Sequence, residues 1–145
     1  MIAAGQAFHW FDRGKARAEF ARVSRPGGWV VLIWNERRLD TPFLQAFERL
    51  MCEFCPEYKS VDHKNVDAKA LSDFFAPNGF LARSCENAQT FGLEGLRGRL
   101  LSSSYAPLTD NETMLAELVR IFEQHQTDGR VLLHYDTRIY LSQWL

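Results

Sequence analysis

Three observations predict an α/β fold built on a mixed sheet of about four strands. The run Trp29-Val30-Val31-Leu32-Ile33-Trp34 is apolar at every position, the pattern of a central, parallel strand covered on both faces. Ahead of it lie an apolar segment beginning at Ile2 and then a helical pattern, and strand, helix and strand in that order make a βαβ unit with a right-handed crossover. Beyond it, amphipathic helical stripes alternate with two further strand patterns, which places helices on both faces of the sheet.

The elements follow in order. Ile2 to Phe8 reads as a strand, and Asp12 is a good N-cap for a helix with Ala16, Phe20 and Val23 at the i, i+4 and i+7 positions. Arg25-Pro26-Gly27-Gly28 ends that helix, because proline cannot continue it and glycine accepts the left-handed conformation beyond a helix end. Thr41-Pro42 supplies an N-cap and a first-turn proline for a helix that puts Phe43, Leu44, Phe47, Leu50, Met51 and Phe54 on one face, with Pro56 closing it. After a polar stretch, Asp67 caps a short helix carrying Leu71, Phe74 and Phe75, which Pro77-Asn78-Gly79 stops, and a strand runs from Leu81 to Phe91. Thr109-Asp110-Asn111-Glu112 matches a capping box, and Met114, Leu115, Leu118, Val119, Ile121 and Phe122 form the helical stripe behind it. Asp128-Gly129 then turns the chain into a last strand from Arg130 to Leu141.

The 145 residues suit a single domain, 1–145. With 46% hydrophobic residues and 17 Lys plus Arg against 18 Asp plus Glu, the chain has the material for a core and no excess charge to resist collapse. A net charge of -1 gives no general attraction to phosphate backbones or anionic lipid, so neither nucleic acid nor membrane is an expected partner. The longest apolar run falls far short of the roughly 20 residues of a membrane helix, and no signal peptide is recognisable at Met1 to Phe11, so a cytoplasmic location is expected. Three cysteines fit free thiols in a reducing compartment.

The segments Ala4-Gly5-Gln6-Ala7-Phe8-His9-Trp10-Phe11-Asp12, Glu19 to Gly28 with its Arg25-Pro26-Gly27-Gly28, and Val31-Leu32-Ile33-Trp34-Asn35 together resemble class I S-adenosylmethionine-dependent methyltransferases. More narrowly they are similar to the type 11-like, small-molecule branch, which carries a His-Trp-Phe after its fourth strand and an Arg-Pro-Gly-Gly before its fifth. Arg97 to Tyr105 and Tyr135 to Tyr140 also resemble later segments of that branch. The resemblance implies an incomplete Rossmann-like methyltransferase fold, strands four to seven of the family. The sequence contains no strand followed by the Gly-rich loop that lets the backbone approach the cofactor.

By the same resemblance, Gln6 and Ala7 border S-adenosylmethionine, while His9, Trp10, Trp34, Asn35, Arg97 and Tyr105 face the acceptor cleft. His9 has two readings, a general base titrating near neutral pH or a histidine that orients its loop. Trp10 and Trp34 likewise serve either as cation-π partners of a sulfonium or as core. Cys52 and Cys55 lie within a helical pattern, with no second ligand pair nearby, so no metal site is expected. Gly92 to Arg99 looks superficially like an anion loop, but its leucine spacing indicates a helix, leaving Arg97 and Arg99 able to grip a carboxylate.

The expected function is therefore S-adenosylmethionine-dependent methyl transfer to a small-molecule acceptor, represented by a C-terminal fragment that is inactive alone. Two alternatives stay open: a partner chain that supplies the missing half, or a non-catalytic interaction module that keeps the scaffold. With Ile2 to Phe8 as an uncharged edge strand, homodimerisation through that edge or face is also expected.

Overall fold

A computed structural model describes residues 1–58 and 68–144. Its strands are β1 (Ile2–Gly5), β2 (Trp29–Arg37), β3 (Leu81–Phe91) and β4 (Val131–Gln143), in one sheet ordered β1-β2-β4-β3. Its helices are α1 (Arg13–Val23), α2 (Pro42–Phe54), α3 (Ala68–Phe75), α4 (Leu93–Leu101) and α5 (Glu112–His125), with a 3-10 turn at Phe8–Trp10. β1 pairs parallel to β2, Ile2 opposite Val30 and Gly5 opposite Ile33. The Trp144 N–H donates to the Gly28 carbonyl and the Arg38 N–H to the His134 carbonyl, so β4 runs backward along β2 and the sheet is mixed. The chain divides into two compact units, one of Met1–Glu36, His63–Glu86 and Asp136–Leu145, the other of Arg37–Asp62 and Asn87–Tyr135.

In the first unit the expected βαβ crossover is present. Asp12 caps α1 by accepting from the Lys15 N–H at 3.0 Å, and Gly27 beyond its end has φ +73°. β1 is shorter than the expected Ile2 to Phe8, because Gln6 turns to a positive φ of 51° and the chain enters the 3-10 turn that buries Phe8 completely. Coverage of β2 also differs from the expectation: Val30, Leu32 and Trp34 are buried, whereas Val31 and Ile33 are only half-buried. Their lateral neighbours on β1 are Ala3 and Gly5, and a methyl group and a bare glycine leave that face open. The core is largely aromatic, with Phe74 edge-on to Phe8 at 4.6 Å and tilted against Trp144 at 5.4 Å. Arg17 of α1 donates to the carbonyls of Phe74 and Ala76 at the end of α3 and lies over Trp144 at 5.3 Å, so one side chain satisfies exposed helix-end acceptors and covers an aromatic face.

In the second unit α2 begins as expected, with Thr41 Oγ1 accepting from the Leu44 N–H at 3.2 Å and Pro42 in the first turn. Phe47, Leu50 and Met51 of α2 pack with Leu96 and Leu100 of α4, Met114 and Leu118 of α5, and Leu133 of β4. The expected capping box does not form. Asp110 takes a left-handed φ of 55°, which moves the N-cap to Asn111 and makes Glu112 the first helical residue, and no side chain caps the helix. Thr127 and Arg130 exchange hydrogen bonds of 2.9 and 3.0 Å across Asp128 and Gly129, both with positive φ, the geometry of a tight hairpin turn.

The sequence reading of Asp67 as a cap lies outside the described residues. β3 ends the sheet opposite β1 and is exposed from Leu81 to Thr90, with Arg83 and Glu86 on it to discourage pairing. Among the described residues no helix is long and apolar enough to cross a membrane, and no group of His, Cys, Asp and Glu can hold a metal ion. The contrast between the two helix starts is measurable by urea unfolding. Asp12→Ala is expected to cost about 1 kcal/mol, and Thr109→Ala no more than about 0.5 kcal/mol, because Thr109 caps nothing.

Candidate functional site

Ligands of open α/β sheets bind beyond the carboxyl ends of parallel strands, and here the first such end is Gly5 with Gln6 behind it. Gln6 is held on both sides by β2: its N–H donates to the Ile33 carbonyl at 2.9 Å and its Oε1 accepts from the Asn35 N–H at 2.9 Å. These two bonds sustain a left-handed backbone that a non-glycine residue rarely adopts. Asn35 is anchored in turn, its Oδ1 accepting from Thr137 Oγ1 at 2.7 Å. Ala7 is half-buried, and its carbonyl accepts from the Trp10 N–H at 2.9 Å to close the 3-10 turn. That turn sets His9 beside Trp10, ring centroids 5.0 Å apart, with His9 half-buried and Trp10 59% exposed.

The sequence-predicted residues thus fall into three groups. Gln6, Ala7, His9 and Trp10 lie just beyond the carboxyl end of β1, and Asn35 lies on β2 beside Gln6, all in the first unit. Trp34 instead lies in the core of that unit, 4% exposed and edge-on to Phe8 and Tyr140. Arg97 and Tyr105 belong to the second unit: Arg97 pairs with Glu94 on the surface of α4 at 3.1 Å, and Tyr105 stacks edge-on to Tyr58 at 4.9 Å with its hydroxyl 3.7 Å from Met51 Sδ. Of the cysteines, Cys55 is buried against Met114, which pushes its thiol pKa up, while Cys52 and Cys85 are exposed.

The sequence reading missed a polar cluster in the second unit. Arg37 Nη2 donates to Glu48 Oε2 at 2.5 Å and to the Tyr58 hydroxyl at 2.8 Å, and that hydroxyl donates to Glu48 Oε2 at 2.8 Å. The Arg37 side chain is only 10% exposed and its guanidinium lies 5.2 Å from the centre of the Phe47 ring. Burial works against the Arg37 charge, but Tyr58 and Glu48 outweigh it and its pKa rises. Burial also drives the Tyr58 phenol well above its ordinary range, with Glu48 adding to the effect and Arg37 opposing it. Arg37 is the last residue of β2, Glu48 belongs to α2 and Tyr58 lies beyond it, so no local pattern in the sequence marks the cluster.

No protein-family model matches the chain. It is 33% identical over 132 residues to a Schizosaccharomyces pombe protein named an uncharacterized methyltransferase, covering 85% of this chain and 49% of that protein. A second S. pombe protein, named an uncharacterized methyltransferase-like protein, is 31% identical over 152 residues, 99% of this chain and 57% of its own length. The fold matches a solved structure from Anaeromyxobacter dehalogenans, named for a type II methyltransferase, with a TM-score of 0.62 at 19% identity, over 97% of this chain and 63% of that one. The fold is accordingly that of the Rossmann-like methyltransferases. The chain is a relative of the class I methyltransferases and spans about half the length of the curated relatives it matches.

The Tyr58 phenol makes stability sensitive to alkali. Below the pKa of an unfolded tyrosine, about 10, folded and unfolded states both keep the proton and the contribution is complete. Above it the unfolded chain ionises while the folded chain holds its proton, so stability falls as pH rises. Tyr58→Phe is expected to cost about 1 kcal/mol at pH 7 from its lost hydrogen bonds and to flatten the decline seen in urea melts above pH of about 10.

Proposed function

We propose that this chain serves S-adenosylmethionine-dependent methyl transfer to a small-molecule acceptor, and that it provides the acceptor-side wall rather than the cofactor cradle. The observation that carries the reading is the Gln6 turn, a strained residue clamped at the end of a parallel strand where such folds bind ligands. S-adenosylmethionine, when bound, supplies an activated methyl group on a sulfonium. The residues present do not make its cradle. The Gln6 N–H and Oε1 are already used by β2, and the sequence has no Gly-rich loop after a strand to receive the cofactor by its backbone. The task left to these residues is positioning, which supplies much of the rate in a direct displacement. Asn35 and His9 provide polar groups beside the carboxyl end of β1, and Trp10 provides an exposed aromatic face next to His9.

A non-catalytic interaction module with the same scaffold makes the competing reading, and titration separates them. Calorimetry of the 145-residue chain with S-adenosylhomocysteine is expected to show no saturation up to about millimolar ligand, a range worth only about 4 kcal/mol of binding free energy. Saturable binding by the chain alone would overturn the partial-wall reading. Placed behind the N-terminal portion of the S. pombe relative, the chain is expected to restore saturable binding; a folded chimera that does not bind would favour the interaction module.

The partner at the β1 edge is, in this reading, a second copy of the chain. β1 is bonded on one side only, its Ala3 and Gly5 are exposed, and none of its four residues is charged. Sedimentation velocity at micromolar concentration is expected to give a dimer, and Ala3→Lys, which sets a charge on the free edge, a monomer. A monomeric parent chain would defeat this arrangement.

A further inference from the structure

Within the second unit, Arg37, Arg99, Ser103 and Tyr135 share the lining of one narrow recess with the apolar side chains of Phe47 and Leu133. Two donors there are buried without a hydrogen-bond partner among the described residues: Arg37 Nε and the Tyr135 hydroxyl, the latter on a residue only 3% exposed. Buried donors are satisfied in the great majority of cases, so two on one recess indicate an absent acceptor. The charge balance indicates its sign. Glu48 neutralises Arg37, while the Arg99 guanidinium donates to Ser103 Oγ at 3.2 Å and has no carboxylate partner among the described residues. One uncompensated positive charge remains beside an apolar wall.

We infer that this recess is a binding site for the carboxylate of a small, apolar-bodied monoanion, with Arg99 as its charge partner and Arg37 Nε and the Tyr135 hydroxyl as its donors. A carboxylate has acceptor lone pairs enough for all three, and charge-assisted bonds of this kind are stronger than neutral ones. Phe47 and Leu133 suit a hydrocarbon or aromatic body rather than a second charge. The recess is too narrow as it stands to hold the ligand, so binding requires the side chains of its lining to move apart. The inference depends on the second unit alone and does not require methyl transfer or the cofactor.

Benzoate is a suitable probe, with benzamide as its neutral isostere. Titration of the full chain at low salt, followed by ligand-observed NMR, is expected to show saturable benzoate binding and no comparable binding of benzamide. Arg99→Gln is expected to weaken benzoate about tenfold or more, the worth of one charge-assisted bond, and Tyr135→Phe about threefold to tenfold. Equal behaviour of benzoate and benzamide, or unchanged affinity in folded Arg99→Gln, would overturn the site. Tighter binding of phenyl phosphate, a dianion with the same body, would overturn the carboxylate assignment. Should either variant fail to fold, the comparison of benzoate with benzamide on the parent chain decides alone.

Discussion

The first unit depends on one short ladder, the parallel pairing of Ile2 to Gly5 with Val30 to Ile33. Parallel strands cannot be joined by a tight turn, so this pairing obliges the chain to cross over through α1. It also sets the carboxyl end of β1 beside the stretch of β2 from Ile33 to Asn35, and that placement lets β2 grip Gln6 from both sides. The left-handed Gln6 is therefore a consequence of the ladder: two hydrogen bonds to neighbouring positions of β2 hold a conformation that costs of order 1–3 kcal/mol if left to itself. Phe8, buried two residues later, anchors the other side of the turn. His9 and Trp10 follow directly on that anchor in the same 3-10 turn.

The second unit is organised by a different constraint, the desolvation of Arg37. A guanidinium with a tenth of its side chain exposed is stable only where its donors meet acceptors, and Glu48 from α2 and Tyr58 beyond it converge to provide them. Phe47, the residue before Glu48 on α2, offers its ring to the same cation. The amphipathic pattern of α2 thus does two jobs at once. Leu50 and Met51 build the apolar core, while Phe47 and Glu48 meet the arginine.

How far the sequence reveals this architecture depends on the kind of signal. Periodicity and punctuation are local, so Asp12 and Thr41-Pro42 mark the helix starts where the structure has them, and Pro26-Gly27 follows within three or four residues of Val23, where α1 ends. The range Leu81–Phe91 was equally legible, between a glycine stop and a glycine start. Where reading failed, the deciding factor was nonlocal or a backbone angle. Thr109 to Glu112 carries the letters of a capping box, but Asp110 adopts a left-handed turn and shifts the helix start past it. The continuous apolar run of β2 hides an alternation in burial, because its coverage is set by the small residues of β1 across the ladder. Resemblance singled out Gln6, Ala7, His9 and Trp10, but a strand expected to run to Phe8 gave no sign of the left-handed Gln6 that ends it at Gly5. The Arg37 cluster was not found at all, since nothing in the spacing of Arg37, Glu48 and Tyr58 announces that they meet.

These two constraints imply different tolerances to change. The Gln6 turn rests on backbone bonds and one side-chain carbonyl, so it transmits changes in β2 directly to the loop that carries His9 and Trp10. A substitution at Asn35 leaves the backbone donor to Gln6 intact but frees Thr137, and its effect is confined to one side-chain bond of 2.7 Å. The Arg37 cluster has no such backbone reserve. Each of its bonds joins side chains, Glu48 Oε2 accepts from both of its partners, and removal of any one leaves a buried charge or hydroxyl to be satisfied by what remains. A site built around Arg37 can therefore be lost through substitutions that never touch a ligand, whereas the strand-end turn keeps its backbone bond to Ile33 as long as the ladder holds.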